Sequence, residues 1–318
     1  MGLTEEIKQQ AIELGFDLVG VTDASPIDAA QVELLAEWLK SGFAGRMSYM
    51  HRNFEKRINP VRILKSAQSV ICVGLNYTPP KVQPESPDPK VPMGALANYA
   101  RYEDYHLFIK KQLRKLSVFI NSLVGGFRFR ICVDSAPLAE KALAARAGLG
   151  FIGKNHMLIN PEFGTQIFLG EIITSLKLQP DGPVKADCTN CDMCIKACPT
   201  GALTPEGWFD ANKCISYLTI EYEGQIHPDL AEKIGGRLFG CDECALACPY
   251  QKNAPACRNK QFKFYNDRAK LNLQEVLDMS GELFEARFAD SCLKRSGLEM
   301  LKRNATICLA NLKKPVKC

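Results

Sequence analysis

Apolar positions recur at helical spacing over residues 3–15 and 28–41, and the strand-like stretch DLVGVTD (17–23) separates them. SVICVGLNY (69–77) is a continuous apolar run of strand length. It leads into TPPKVQPESPDPKVPMG (78–94), whose prolines forbid regular structure. A long amphipathic helix is expected over 103–124. FRFRICVD (127–134) alternates as a strand, and Pro137 is placed to open the helix that follows. TQIFLGEIIT (165–174) reads as another strand, and a Pro/Gly linker occupies 178–187. Strands and helices alternate up to about 180, which predicts an α/β or α+β unit. After 262 the pattern is helical to the end, and no repeat at a period of 20–50 residues is evident.

The chain has 318 residues, 46% hydrophobic and 24% charged, as in an ordinary soluble protein of more than one domain. No apolar run approaches the ~20 residues that span a bilayer, so no membrane association is expected. The amphipathic N-terminus is neither a signal nor a transit peptide, and Glu6 stands where a myristoyl site needs Ser or Thr. A cytoplasmic location is expected. There, fourteen cysteines argue for metal ligands and free thiols rather than disulfides.

The cysteines have a pattern. CTNCDMCIKACPTG (188–201) has the spacing C-x2-C-x2-C-x3-C-P, which wraps a cubane 4Fe–4S cluster and sends its fourth Cys to a second one. Zinc also takes four thiolates, but usually as separated C-x2-C pairs. GCDECALACPY (240–250) supplies C-x2-C-x3-C-P, one Cys short, and Cys214 stands between the two runs. The crossed rule then assigns Cys188, Cys191, Cys194 and Cys248 to one cluster. Cys198, Cys214, Cys241 and Cys244 go to the other. Two coupled clusters read as an electron wire, and the plainer alternative is a pair of structural staples. Cys72, Cys132, Cys257, Cys292, Cys308 and Cys318 are left over and suit buried apolar positions.

Charge adds one asymmetry. Residues 250–318 hold fourteen Lys or Arg against seven Asp or Glu, so this end carries more than the whole chain's +5. RNKQFKFYNDRAK (258–270) interleaves cations with Phe262, Phe264 and Tyr265. Lys260, Lys263 and Arg268 are therefore candidate nucleic-acid contacts, against the alternative of a solvated basic face.

The first part of the chain lacks a dinucleotide fingerprint and a P-loop, and no D-x-H-x-x-G offers a histidine to cobalt. GLGFIGK (148–154) is glycine-spaced but follows a helix, and reads as a loop in close contact with something. Asp134 stands at a strand end before a helix, where a carboxylate can serve a crevice. Partial burial is expected to raise its pKa and make it a proton donor. The alternative is that Asp134 or Ser135 caps the following helix.

Together VDSAPLAEKALAARAGLGFIGKN, CTNCDMCIKACPTGAL, CISYLTIEYEG and GCDECALACPY resemble the epoxyqueuosine reductases, in the same order along the whole chain. EKRINP (55–60), RYEDYH (101–106) and LKRNATICLANL fit as well. The resemblance implies an α+β fold: a nitroreductase-like cobalamin-binding domain over 1–178, a dicluster ferredoxin-like domain over 179–261 and a short helical tail over 262–318. It implies reduction of epoxyqueuosine to queuosine at the wobble position of a tRNA anticodon, with Asp134 as proton donor. Corrin contacts are implied at Arg57, Asp134, Leu158, Leu169, Ser216, Cys241 and Asp242, largely through the backbone of 153–159 and 168–171. Cobalt should have no histidine ligand. An external electron donor such as flavodoxin or ferredoxin is expected, and a monomer. Many members continue into a larger helical-repeat domain that grips tRNA, whereas this sequence ends at Cys318. The rival readings are a reductive dehalogenase-like enzyme, whose twin-arginine signal is not seen here, and an electron carrier without catalysis of its own.

Overall fold

The computed structural model describes residues 2–81 and 90–313. Much of the expected proline-rich loop, and Cys318, lie outside the described residues. The strands are β1 (Leu18–Asp23), β2 (Ser69–Asn76), β3 (Met93–Leu96), β4 (Phe129–Cys132), β5 (Phe151–Ile152), β6 (Leu158–Ile159), β7 (Ile167–Thr174), β8 (Arg237–Phe239) and β9 (Lys270–Asn272). Four of them form an antiparallel sheet in the order β1-β2-β7-β4. Strand β2 reads as an unbroken apolar run because both of its faces are covered. On one face Ile71, Val73 and Leu75 meet the helices Leu3–Glu13 and Tyr105–Val124. The longer helix buries Phe108, Ile109, Leu113, Leu116 and Ile120, spaced to face the sheet. On the other face Val70, Cys72, Cys132 and Ile173 pack with Leu143 and Ala144 of the helix Glu140–Arg146.

That helix begins three residues after Pro137, and its N-terminal flanking residue is Ala139, without a side-chain cap. The cap assigned to Asp134 or Ser135 is therefore not made. A second sheet, β8-β3-β9, corrects the all-helical expectation after 262, because β9 pairs antiparallel with β3. It takes one strand from each of the three segments distinguished in the sequence. The final helix, Gly297–Leu312, is fixed to this sheet by Asn304, whose side-chain amide donates to Leu238 O and Thr219 O. The close contact expected of GLGFIGK is with the chain itself: a Cβ on Gly150 would stand 2.3 Å from Ile159 O, across the β5–β6 hairpin. No helix among the described residues is long and apolar enough to cross a membrane.

Candidate active site

Where β4 ends, the chain turns sharply. Ser135 N donates to Val133 O at 2.5 Å, which closes a three-residue turn with Asp134 at its centre. Asp134 has φ +53°, a conformation disfavoured for a residue with a Cβ. Its own N–H donates to Glu140 Oε1 at 2.6 Å, holding the turn from the start of the next helix. This turn points the Asp134 carboxylate into a cavity of about 300 Å³. Tyr49, Tyr99, Tyr105, Tyr217, Phe209 and Phe239 supply its aromatic walls, and His106, Ser216, Glu221 and Arg295 supply polar groups.

Asp134 sits among donors. His106 Nε2 lies 2.9 Å from its Oδ2 and Arg295 Nη1 lies 3.2 Å from the same oxygen. The Tyr105 hydroxyl also bonds it. The other ring nitrogen of His106, Nδ1, lies 2.7 Å from Asp104 Oδ1. An imidazole between two carboxylates must donate from both nitrogens, which only the imidazolium can do. Burial works against that charge, but the hydrogen bonds to Asp104 and Asp134 outweigh it and push the His106 pKa up to about 9. For Asp134, burial raises the pKa, yet the bond to His106, its charge and that of Arg295 hold the carboxyl below its usual range. The expectation of a raised pKa is corrected on this point. The proton resides on His106, one hydrogen bond from the carboxylate.

Arg295 comes from the basic C-terminal segment and also binds Glu221 Oε1, at 2.7 Å. It thereby ties the turn to the segment carrying the cysteines. None of the described cysteines is in a disulfide. Cys248 and Cys194 each feel the charges of Cys188 and Cys191. Cys244 feels Cys214, Cys241 and Cys198, while Cys214 feels Cys198. The eight thiols thus fall into two groups of four, each containing one Cys from the other's sequence run. Cys244 also senses Cys194, so the groups are neighbours. Backbone N–H groups already point at sulfur: Ala202 N at Cys198 Sγ, 3.3 Å, and Lys154 N at Cys188 Sγ, 3.4 Å. Four cysteines to each group is the donor set a 4Fe–4S cluster takes, so the residues present fit two such clusters.

Residues 153–157 bridge the two parts. Lys154 Nζ donates to Cys191 O at 2.9 Å, and Asn155 donates to Cys244 O at 3.3 Å. Cys214 and Ser216 line the cavity, so the second thiol group reaches it directly.

Of the expected corrin contacts, Asp134 and Ser216 line this cavity. Arg57 lies within electrostatic reach of Asp134, and its buried Nε has no hydrogen-bond partner. Arg101 Nε is orphaned in the same way, within reach of Asp242. Asp242 accepts from Asn98 N at 2.6 Å, and burial pushes its pKa up to about 6. Cys241 packs against the apolar cluster around β3 and β8. The side chains of Leu158 and Leu169 pack in the cluster beneath the helix Glu140–Arg146, Leu158 buried and Leu169 half-buried. The aromatic walls of the cavity, with the unpartnered Arg57 and Arg101 Nε–H groups elsewhere in the site region, suit a ligand with apolar faces and an amide-bearing rim such as a corrin.

The basic stretch is only partly a surface. Arg268 is 4% exposed, ion-paired to Asp290 at 2.9 Å and set over the Tyr265 ring, so it is corrected from phosphate contact to internal tie. Phe262 is buried against Tyr102 and Phe108 and is not free to stack on a base. Lys260 and Lys263 remain exposed. The residues that the sequence reading passed over are Tyr105, His106, Glu140, Glu171, Glu221 and Arg295. Tyr105 and His106 carried a signal as part of the RYEDYH segment, and Glu140 and Glu221 lie in other segments that carry the resemblance.

Residues 57–135 match the protein family described as "Epoxyqueuosine reductase QueG, DUF1730", and residues 187–251 match the "4Fe-4S double cluster binding domain". The chain is 36% identical over 310 residues to the epoxyqueuosine reductase of Vibrio cholerae, an alignment covering 97% of this chain and 83% of that one. The structure of epoxyqueuosine reductase from Streptococcus thermophilus superposes with a TM-score of 0.91 at 31% identity, covering 99% of this chain and 82% of that one. A crystal structure of epoxyqueuosine reductase with a tRNA-Tyr epoxyqueuosine-modified tRNA stem loop gives 0.91 at 31% identity, covering 98% and 82%.

Proposed function

The chain belongs to the epoxyqueuosine reductase family, whose members are oxidoreductases, and from that premise we propose that it reduces epoxyqueuosine to queuosine at the wobble position of a tRNA anticodon, using a cobalamin and two 4Fe–4S clusters. One juxtaposition carries the reading: Asp134, hydrogen-bonded to a charged His106, shares a cavity with Cys214 of the second thiol group. Cys188, Cys191, Cys194 and Cys248 would hold one cluster, and Cys198, Cys214, Cys241 and Cys244 the other. Arg57, Ser216, Asp242 and the backbone at Leu158 and Leu169 would hold the corrin. In this division of labour residues 1–178 serve the corrin, in a nitroreductase-like arrangement, and residues 179–261 serve the clusters. When bound, the clusters supply electrons singly and the cobalamin supplies a strongly reducing centre.

The protein's own part is proton delivery and enclosure. Removing the epoxide oxygen as water takes two electrons and two protons. Asp134 stands at the cavity, where it would meet the epoxide oxygen of a bound substrate. As that oxygen gains negative charge, the His106 proton crosses the 2.9 Å hydrogen bond to Asp134 and passes from Asp134 to the oxygen. Arg295 stabilises the carboxylate left behind and, through Glu221, keeps the turn against the cysteine-bearing segment. Tyr49, Tyr99 and Tyr105 wall the reacting face. An external flavodoxin or ferredoxin would reload the clusters. The test is anaerobic single-turnover reduction of an epoxyqueuosine-bearing RNA hairpin, with cofactor content measured on the same sample. Asp134→Asn keeps the shape but carries no acidic proton, and turnover should fall by roughly 10²–10⁴ with cofactors retained. Near-normal turnover in a fully loaded Asn variant would remove Asp134 from the chemistry.

A further inference from the structure

The tip of the β5–β6 hairpin carries a cation that the reaction as described leaves without a task. Gly153 N donates to Met157 O at 3.0 Å and Asn155 Oδ1 accepts from Met157 N at 3.1 Å, so residues 153–157 form a tight, internally bonded turn. The turn is braced on both cysteine runs at once. The amide of buried Asn155 donates to Cys244 O at 3.3 Å, and Lys154 reaches the other run. Lys154 N points at Cys188 Sγ at 3.4 Å, while its Nζ donates to Cys191 O at 2.9 Å and to Thr189 O at 3.2 Å. Thr189 holds φ +44°, a left-handed conformation that a β-branched residue disfavours. The ammonium ties down that strained loop and is itself held there, between Cys188 and Cys191.

The charge of Lys154 is also uncancelled. No ion pair joins it to a carboxylate among the described residues, and Asp192, which feels its charge, is paired with Lys196 at 2.9 Å. The second thiol group has a cation of its own in Arg237, whose charge reaches Cys241. Arg237, however, is bound through Nε and Nη2 to Glu243 Oε1, at 3.1 and 2.5 Å, and Glu243 acts on Cys241 in the opposite sense. Hydrogen bonds to sulfur do not distinguish the groups, since Lys154 N serves Cys188 and Ala202 N serves Cys198. The free charge of Lys154 does.

We propose that Lys154 is a redox-positioning residue: its ammonium raises the reduction potential of the cluster on Cys188, Cys191, Cys194 and Cys248, and makes it the one that an external electron donor fills first. The proposal rests on the two-cluster reading. A reduced cluster carries one more negative charge than an oxidised one, so a cation beside it stabilises the reduced form. In balance, the donor, a flavin or iron–sulfur carrier, loses one electron and the cluster gains it, with no bond broken and no proton moved. Cys214 lines the cavity and no cysteine of the first group does, so entry at the first group keeps the donor clear of the substrate.

The test is an EPR-monitored redox titration of the full chain carrying its cofactors, without RNA. In the parent two cluster steps are expected. In Lys154→Met the higher-potential step should fall by roughly 30–60 mV, about a three- to tenfold change in its reduction equilibrium, with the other step unmoved. Lys154→Gln keeps an N–H for the carbonyls but no charge and should fall likewise, whereas Lys154→Arg should restore the parent value. A merely structural tie gives the opposite sign, because a loosened loop admits water, which favours the more charged reduced form and raises the potential. An unchanged or raised potential in Lys154→Met, or a shift confined to the lower step, overturns the proposal. Should Lys154→Met lose iron, Lys154→Gln against Lys154→Arg carries the same comparison, and equal potentials there overturn it. A parent protein that binds no 4Fe–4S cluster refutes the two-cluster reading itself, a failure visible in its iron content before any potential is measured.

Discussion

Replacing His106 by Gln removes the charge that links Asp104 to Asp134 while keeping a polar side chain of similar reach. The folded pKa of His106 is about 9 against an ordinary 6.5, a rise equivalent to about 3 kcal/mol at roughly 1.4 kcal/mol per pH unit. Asp134 is 41% exposed, so solvent screening reduces this to about 1–2 kcal/mol. The sign follows from a folded pKa above the unfolded one. The stabilisation is fully present below pH 6.5 and is lost as pH rises through about 9. His106→Gln should therefore unfold a few degrees earlier than the parent at pH 6 and at nearly the same temperature at pH 9.5. The chain has four histidines, so their NMR titrations can be separated, and one should titrate near 9 and be missing from the variant. Turnover should fall by roughly 10²–10⁴, and its descending alkaline limb should move to lower pH, because Asp134 has lost the group that refills it. Four histidines all titrating near their ordinary value would refute the argument. So would a stability gap of equal size at pH 6 and pH 9.5.

Other expectations follow from the thiol groups and the surface. Cys198→Ala should damage the cluster built on Cys241 and Cys244, and Cys248→Ala the one built on Cys188, Cys191 and Cys194. Iron content and EPR of each variant would check this, and loss of only the sequence-local cluster would reverse the assignment. Neutralising Lys260 and Lys263 together should flatten the dependence of tRNA affinity on salt by up to about two in log–log slope. An unchanged slope places the RNA surface elsewhere. Arg268→Ala should instead lower the unfolding temperature, since it strands the Asp290 carboxylate and opens the packing over Tyr265 and Phe288. A variant as stable as the parent but weaker in RNA binding would return Arg268 to the surface.

The sequence made some features legible because their information is local. The span of β2 follows from an apolar run covered on both faces, and the helix 105–124 from spacing along one stripe. The two thiol groups follow from spacings that a cluster's geometry imposes on a short loop. What stayed hidden depends on partners far apart in the chain. Strand β9 is three residues long and exists because β3, far upstream, offers it an edge. Arg268 looked like one cation in a basic row, and only Asp290 and the Tyr265 ring make it an internal tie.

Asp134 shows the same limit in its chemistry. Burial alone predicts a raised pKa, as read from the sequence, and burial is indeed the largest single influence on it. The sign reverses because His106 arrives from another helix and Arg295 from the far end of the chain. A carboxylate held ionised by a cationic acid beside it is not a spoiled donor. It is a relay whose proton waits one bond away and moves only when a stronger base enters the cavity. An acid that acts only against the charge of an opening epoxide would leave electrons at the neighbouring thiol group protected from protons in the resting enzyme. On this view the correction to Asp134 strengthens its functional assignment, because a freely protonated acid beside a strong reductant would discharge it without substrate.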